Sequence, residues 1–429
     1  MKRYLLTVFS LVYAFVVFAG SVTEKQALAK ACQFMPGKSF VFVRTAESGK
    51  MNSSGNVPYY IFNAENNGGF VIVSGDDRTK AILGYSESGS LKGNDLPENV
   101  ESWLNYYAEA ISSLEDSSPN VRYVNATSAK RSDISPLITT KWSQRTPYND
   151  QCVFEGLGSC VTGCVATAFA QVLNYYQYPN KVAAMDKYTR NGTDTIPALP
   201  GATLDWKNMC ATYNQWEGNR TDAQKKAVAT LMRYCGQSVL MNYGPYSSGG
   251  KDWTIPTALK QYFGYDDCAQ CIYRSNYSDE DWENTIYQEL SGKHPIIYTG
   301  FTTAGGGHCF VVDGYKKKDS TYHVNWGWGG SCDGYFVLTV MNASESSVYD
   351  QNQRAIIGVR PLEGKVKLSK SKVTLEAGKT LTLKATVSPE KLLDKSVTWK
   401  SSDKKVATVT SKGKVTAVKA GTATITCTS

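Results

Sequence analysis

Cys164 stands where a sulfur nucleophile is easiest to make. In residues 158–176, GSCVTGCVATAFAQVLNYY, a Gly/Ser/Thr loop leads into an apolar run with Ala166, Phe169, Ala170, Val172 and Leu173 at helical spacing. The unpaired amides and positive dipole end of such a helix favour thiolate over thiol, the form that attacks a carbonyl. Cys160, preceded by Gly158-Ser159, competes for the role, but the continuous apolar helix begins at Cys164.

A thiolate of this kind needs a base, and the chain holds three histidines. His294 precedes Pro295 and the apolar Ile296-Ile297-Tyr298, and reads most simply as a strand-entry residue. His308 follows Gly305-Gly306-Gly307 and opens the strand Cys309-Phe310-Val311-Val312-Asp313; glycines there let an extended substrate backbone approach closely. His323 alternates with Asn325, which puts both on one side of a strand.

A Cys-His pair also needs a group that holds the imidazole in one tautomer, and an amide oxygen suffices. Asn325 is the candidate, with Trp326 or Trp328 shielding the contact; the same Asn325-Trp326-Gly327-Trp328-Gly329-Gly330 also reads as a tight aromatic turn that serves packing alone. Oxyanion stabilisation calls for the Cys164 amide and a side-chain amide, each such donor being worth roughly 3–4 kcal/mol of barrier. Gln144, in the loop-like 141–149 segment, is the candidate and Gln151 its rival.

The elements that must position these groups fall into three textures. Residues 21–131 read as a small α+β unit: helix at 24–31, strands at 39–45, 58–64 and 69–77, and a helix at 100–114 with Trp103, Leu104, Tyr107 and Ile111 on one face. The polar stretch 117–131 reads as an exposed linker open to proteolysis. From 133 to 361 helices come first (158–176, 222–235, 255–263, 279–290) and strands later (295–298, 308–313, 322–326, 334–340, 355–359), an α+β order that puts a site where the halves meet. From Glu363 short alternating strands at 373–375, 381–387, 397–399, 406–409, 413–418 and 421–426 imply a β-sandwich module.

At 429 residues several domains are expected, and 42% hydrophobic content with 27 tyrosines excludes disorder. The formal charge of +8 belongs to the tail, where 14 Lys face five acidic residues from Glu363 onward; nothing directs the main body to nucleic acid. Residues 1–20 read as a secretory signal, Lys2-Arg3 before an apolar run and small residues, so the mature chain is expected to be exported without a membrane span. Eleven cysteines in an exported chain allow disulfides, the odd count leaving at least one thiol unpaired. Cys268-Ala-Gln-Cys271 has no second pair to complete a zinc site, which favours a structural or disulfide role; no metal or cofactor is expected.

Thr162-Gly163-Cys164-Val165-Ala166-Thr167-Ala168 with Gln171 and Tyr178-Pro179, Gly306-Gly307-His308 with Asp313-Gly314, and Tyr322-His323-Val324-Asn325-Trp326-Gly327-Trp328-Gly329-Gly330 with Asp333-Gly334 resemble the streptopain family of secreted papain-like cysteine peptidases. The likeness runs from about 134 to 361, helped by Tyr243-Gly244-Pro245. Residues 59–89, with Gly68-Gly69-Phe70-Val71-Ile72-Val73-Ser74-Gly75-Asp76-Asp77-Arg78, are similar to that family's inhibitory propeptide, and residues from Lys365 on to a bacterial group 2 immunoglobulin-like module.

The resemblance implies a two-subdomain papain-like fold and a zymogen whose own propeptide is an intramolecular inhibitor. It implies Cys164 as nucleophile, His308 as base, Asn325 and Trp326 as its positioners and Gln144 in the oxyanion hole. It also implies that Gly307 and Ser247-Ser248-Gly249 hold substrate backbone. The domains implied are a signal at 1–20, propeptide at 21–131, peptidase at 132–361 and Ig-like module at 363–429. Protein or peptide substrates follow, in an extracellular setting where the Ig-like module contacts a cell surface or glycan. Extra cysteines at 160, 210, 235, 268, 271, 309 and 332 depart from the family pattern. Two other readings keep the same residues: a thiol acyltransferase or cell-wall amidase, and an adhesion protein with an inert Cys-His domain. The aromatic richness of the groove hints at apolar substrate side chains next to the scissile bond.

Overall fold

The computed structural model describes residues 20–46, 57–93, 96–116, 131–213, 218–301, 307–340, 353–362, 364–389 and 395–428. The expected leader, most of the 117–131 linker and Gly305-Gly306 therefore lie outside the described residues.

The N-terminal unit opens with α1 (Glu24–Phe34), started by a capping box in which Thr23 and Gln26 satisfy each other's backbone amides. Strands β1 (Phe40–Thr45), β2 (Tyr59–Ala64), β3 (Phe70–Ser74) and β4 (Ile82–Ser86) form an antiparallel meander, followed by α2 (Glu98–Ser112). Alternation sorts the apolar residues. Tyr60, Phe62, Val71 and Val73 pack with Ala27 and Ala31 of α1, whereas Tyr59, Ile61, Phe70 and Ile72 pack with Val100, Trp103 and Leu104 of α2.

The central unit contributes α3 (Cys164–Tyr176), α4 (Asp222–Ser238), α5 (Ile255–Tyr262), β5 (Gln270–Tyr273) and α6 (Asp279–Ser291). Then come β6 (Ile296–Phe301), β7 (Gly307–Lys316), β8 (Thr321–Asn325), β9 (Gly334–Phe336) and β10 (Gln353–Ile357). Helices first and strands later is the order read from the sequence, and the central unit is α+β. The strand bounds differ by one to four residues, most at β6, which runs to Phe301, β7, which runs to Lys316, and β9, whose pairing ends at Phe336.

One connection was not legible in the sequence. The strands of the N-terminal unit and those of the central unit make a single ten-stranded antiparallel sheet, in the order β1-β2-β3-β4-β9-β8-β7-β6-β10-β5. The join is β4 on β9, with Tyr85 opposite Tyr335 and Gly84 opposite Phe336. The β9 edge of the central unit is thereby closed by the N-terminal unit.

Sheet β7 divides the core. Cys309 and Val311 belong to the apolar cluster that includes Ala166, Phe169 and Val172 of α3, while Phe310 and Val312 belong to the cluster of α2 and α6. Helices α3 and α2 thus lie on opposite faces of β7, the strand that carries His308.

The C-terminal module is all-β, with strands Lys365–Leu368, Thr380–Thr382, Ala385–Ser388, Thr398–Ser401, Ala407–Val409, Lys414–Ala417 and Ile425–Thr428. The expected strand at 373–375 is not one, and the single run at 381–387 is two short strands. Sequence reading missed Lys365–Leu368, where two apolar residues make too short an alternation to register.

Candidate active site

Helix α3 begins at Cys164 because Gly163 forces it to. Gly163 has φ 84°, and a Cβ there would lie 2.7 Å from Ser248 O and 2.9 Å from the Met241 sulfur, so only glycine lets the chain turn into the helix at this spot. The Cys164 Sγ accepts the Cys309 backbone N–H at 3.5 Å, which ties the helix start to β7. Burial pushes the thiol's pKa up, opposed by the Cys309 and Val165 amides.

His308 lines the same cleft as Cys164, together with Gln144, Ser247, Ser248, Gly249 and Gly307. Six of the residues read from the sequence as site candidates around the thiol are thus brought together. The imidazole Nε2 is 4.0 Å from Glu98 Oε1 at the start of α2, and no hydrogen bond joins it to Cys164 among the described residues. Burial lowers the His308 pKa and Glu98 opposes that. Thiol and imidazole are each shifted toward the neutral form.

Asn325 and Trp326 are placed behind the cleft, not in it. The Asn325 Oδ1 accepts from Gln171 Nε2 at 3.0 Å and from the Gly327 amide at 3.0 Å, and its Nδ2 donates to Thr140 O at 2.7 Å. Gln171, buried in the middle of α3, also accepts from Thr140 Oγ1 at 2.9 Å. Trp326 is buried against Phe310 and Phe336, with its Nε1 donating to Cys332 O. Trp328 is the aromatic residue of this turn that lines the cleft.

The rivals sit elsewhere. Gln151 donates to Thr230 Oγ1 at 2.7 Å. Cys160 is buried, its amide donating to Cys152 O. His294 contacts the Tyr176 hydroxyl and accepts from Arg360 Nε. His323 pairs with buried Asp313 at 2.6 Å, which raises its pKa against the effect of burial, and it does share a side with Asn325, both lining a cavity with Lys141, Asp333 and Tyr335. All eleven cysteines are unbonded, so the disulfides that export allowed are absent; Cys271 serves as a strand residue of β5 opposite Ile356.

Residues 142–336 match the peptidase C10 family, residues 19–111 the Spi protease inhibitor, and residues 364–429 the bacterial Ig-like domain (group 2). Streptopain of Streptococcus pyogenes is 35% identical over 373 residues, covering 79% of this chain and 92% of the relative. The chain belongs to the peptidase C10 family. A solved prointerpain A fragment of Prevotella intermedia, a cysteine-to-alanine mutant, superposes with TM-score 0.63 at 33% identity, covering 75% of this chain and 99% of that one. The thiol protease/hemagglutinin PrtT of Porphyromonas gingivalis is 28% identical over 80% of this chain and 42% of its own length. This C10 peptidase is thus a cysteine-type endopeptidase carrying a protease-inhibitor propeptide and an Ig-like module.

Among the cleft residues of this C10 peptidase that escaped sequence reading are Glu98, Asp252, Trp253 and Arg354. Glu98 had a local signal, an acid in the first turn after Pro97, but nothing local says that this helix end meets His308. The other three come from a 3-10 turn and from β10; sheet register brings Arg354 to the cleft, where it meets Asp252.

Proposed function

We propose that this chain is exported as a latent precursor and, once its propeptide leaves, hydrolyses proteins through a Cys164 thiolate and a His308 imidazolium. The observation that carries the reading is the shared cleft: Cys164 at a helix N-terminus, with His308 and Gln144 beside it. The thiolate attacks the scissile carbonyl carbon, and the Cys164 amide and Gln144 hold the oxyanion. The C–N bond breaks as His308 gives its proton to the leaving amine. His308 then takes a proton from water, whose oxygen attacks the thioester, releasing acid and thiol. No step calls for a metal or cofactor. Asn325, fixed by Gln171 and Thr140, holds the turn whose Trp326 and Trp328 back the histidine. Gly307 and Ser247-Ser248-Gly249 hold substrate backbone.

Latency is supported by α2. Asn99 Nδ2 donates to Trp326 O at 2.5 Å, and Trp103 packs on Tyr298, Phe310 and Trp326. Glu98 meets His308 at the end of the same helix. Release of α2 frees His308 to turn to the thiol. The boundaries proposed are signal 1–20, propeptide 21–131, peptidase 132–361 and Ig-like module 363–429, with cutting between about 119 and 133. The lysine-rich module is proposed to contact an acidic surface or glycan.

Casein hydrolysis by the full chain before and after cleavage, with mass spectrometry of an epoxide-trapped sample, tests this. Activity only after cutting and a label on Cys164 are expected. Equal activity before and after, or a label on another cysteine, would overturn it.

A further inference from the structure

The register of three strands builds a row of side chains away from the thiol. Cys309 on β7 is opposite Thr299 on β6, and Thr299 is opposite Arg354 on β10. Residues directly opposite in antiparallel strands point to one face. The row starts at Cys309, whose amide touches the Cys164 sulfur, and ends two strand spacings away, about 10 Å. All three residues line the Cys164 cleft.

At the far end Arg354 Nη2 meets Asp252 Oδ1 at 3.2 Å. The Asp252 side chain is 3% exposed and that of Arg354 15%, so the carboxylate lies behind and the guanidinium forms the accessible part. The Arg354 Cζ also lies 4.9 Å from the Trp253 ring and 5.8 Å from that of Tyr273, which hold its plane. A fork fixed in this way is suited to a carboxylate, since little entropy remains to be lost.

The charge of the cleft agrees. Its acidic and basic lining is Glu98, Arg145, Asp252, His308 and Arg354, beside Cys164 itself. Glu98 belongs to the propeptide and leaves with it. The remaining side-chain carboxylate, Asp252, is buried behind Arg354. We propose that Arg354, braced by Asp252 and Trp253, is a specificity-determining residue that takes an acidic substrate side chain close to the scissile bond on its acyl side. Tyr246, Trp253 and Trp328 supply the aromatic rings of the groove, but an apolar side chain at the end of the row would cover a guanidinium without answering its charge.

This inference rests on the peptidase reading. The test uses the cleaved full chain and internally quenched peptides in which each of the three residues before the scissile bond is varied among Glu, Gln, Leu and Lys. Glu is expected to exceed Leu by about tenfold or more in kcat/KM at one position, with Lys the poorest there. The paired variant Asp252→Ser/Arg354→Ser, which removes both charges together, should lose the Glu preference and still cut the Leu peptide. A wild-type enzyme that prefers Leu at every position would overturn the assignment, and so would a paired variant that keeps the preference for Glu. The wild-type ratio decides by itself if the variant does not fold. Cleavage of Leu peptides with a reactive Cys164 would sink this inference alone, whereas no cleavage with an inert Cys164 sinks the peptidase reading as well.

Discussion

Glu98, the first residue of α2, stands 4.0 Å from the Nε2 of His308 on β7, across a cleft that both line with Cys164. The contact joins two segments 210 positions apart and sets the propeptide carboxylate beside the imidazole. Its consequences are titratable.

Docking of α2 covers His308, since Asn99, Trp103 and Tyr106 share a small pocket with it. Burial lowers the histidine's pKa in the docked form, so docking is favoured above the ordinary histidine range near 6.5 and weakens as pH falls through it. Glu98 works against that shift. Glu98→Gln should therefore lose latency at a higher pH than wild type, by up to about 0.5 pH, because Glu98 is 68% exposed and its pairing is screened. Activity of the uncleaved chain measured from pH 5 to 8 checks this; curves that coincide at all pH values would count against it.

Gly300 on β6 is the seat of the Trp103 ring. A Cβ there would lie 2.7 Å from Trp103 Cζ3. Gly300→Ala should leave the cleaved enzyme active yet loosen the propeptide, seen as inhibition by the separate 21–131 segment weakened on the order of tenfold or more. Trp103→Ala, which removes a buried ring, should go further, by roughly 3–5 kcal/mol in docking. Unchanged inhibition in both would show that α2 is not what holds the propeptide.

Cys164→Ala should abolish casein hydrolysis, with a fall on the order of 10³-fold or more, whereas Cys160→Ala should retain it. Cys160 is buried beside Cys152 and away from the cleft lining, so its loss is a packing matter. The reverse pattern would move the nucleophile.

Gln171→Leu keeps volume but leaves Thr140 Oγ1 and the Trp142 amide without their acceptor and takes one of two donors from Asn325 Oδ1, all buried. Each orphaned group costs about 1–3 kcal/mol, so a lower melting temperature is expected. If Asn325 and its turn act by positioning, kcat should fall with KM little changed, since substrate contacts are untouched. A stability loss with unchanged kcat would leave Asn325 a packing residue.

The Cys164 helix, the three histidines to choose from and the α+β order were legible because they rest on local signals: apolar spacing, glycine runs and scarcity of a residue type. The motif resemblance carried further, to the family and to the propeptide. Short apolar runs were less legible: residues 373–375 alternate like a strand but find no partner strand, and pairing is what makes a strand.

What tertiary structure alone decided is which distant groups share space. Sheet closure put β4 on β9 and so made one sheet of inhibitor and enzyme. Register across β7, β6 and β10 aligned Cys309, Thr299 and Arg354. Docking of α2 set Glu98 against His308. Backbone propensity is read within a few residues, whereas pairing register and helix docking depend on surfaces hundreds of residues apart, and no local spacing encodes those. The sequence by itself determined where a thiolate could be made; the fold decided that in the docked form neither thiol nor imidazole is driven to ionise.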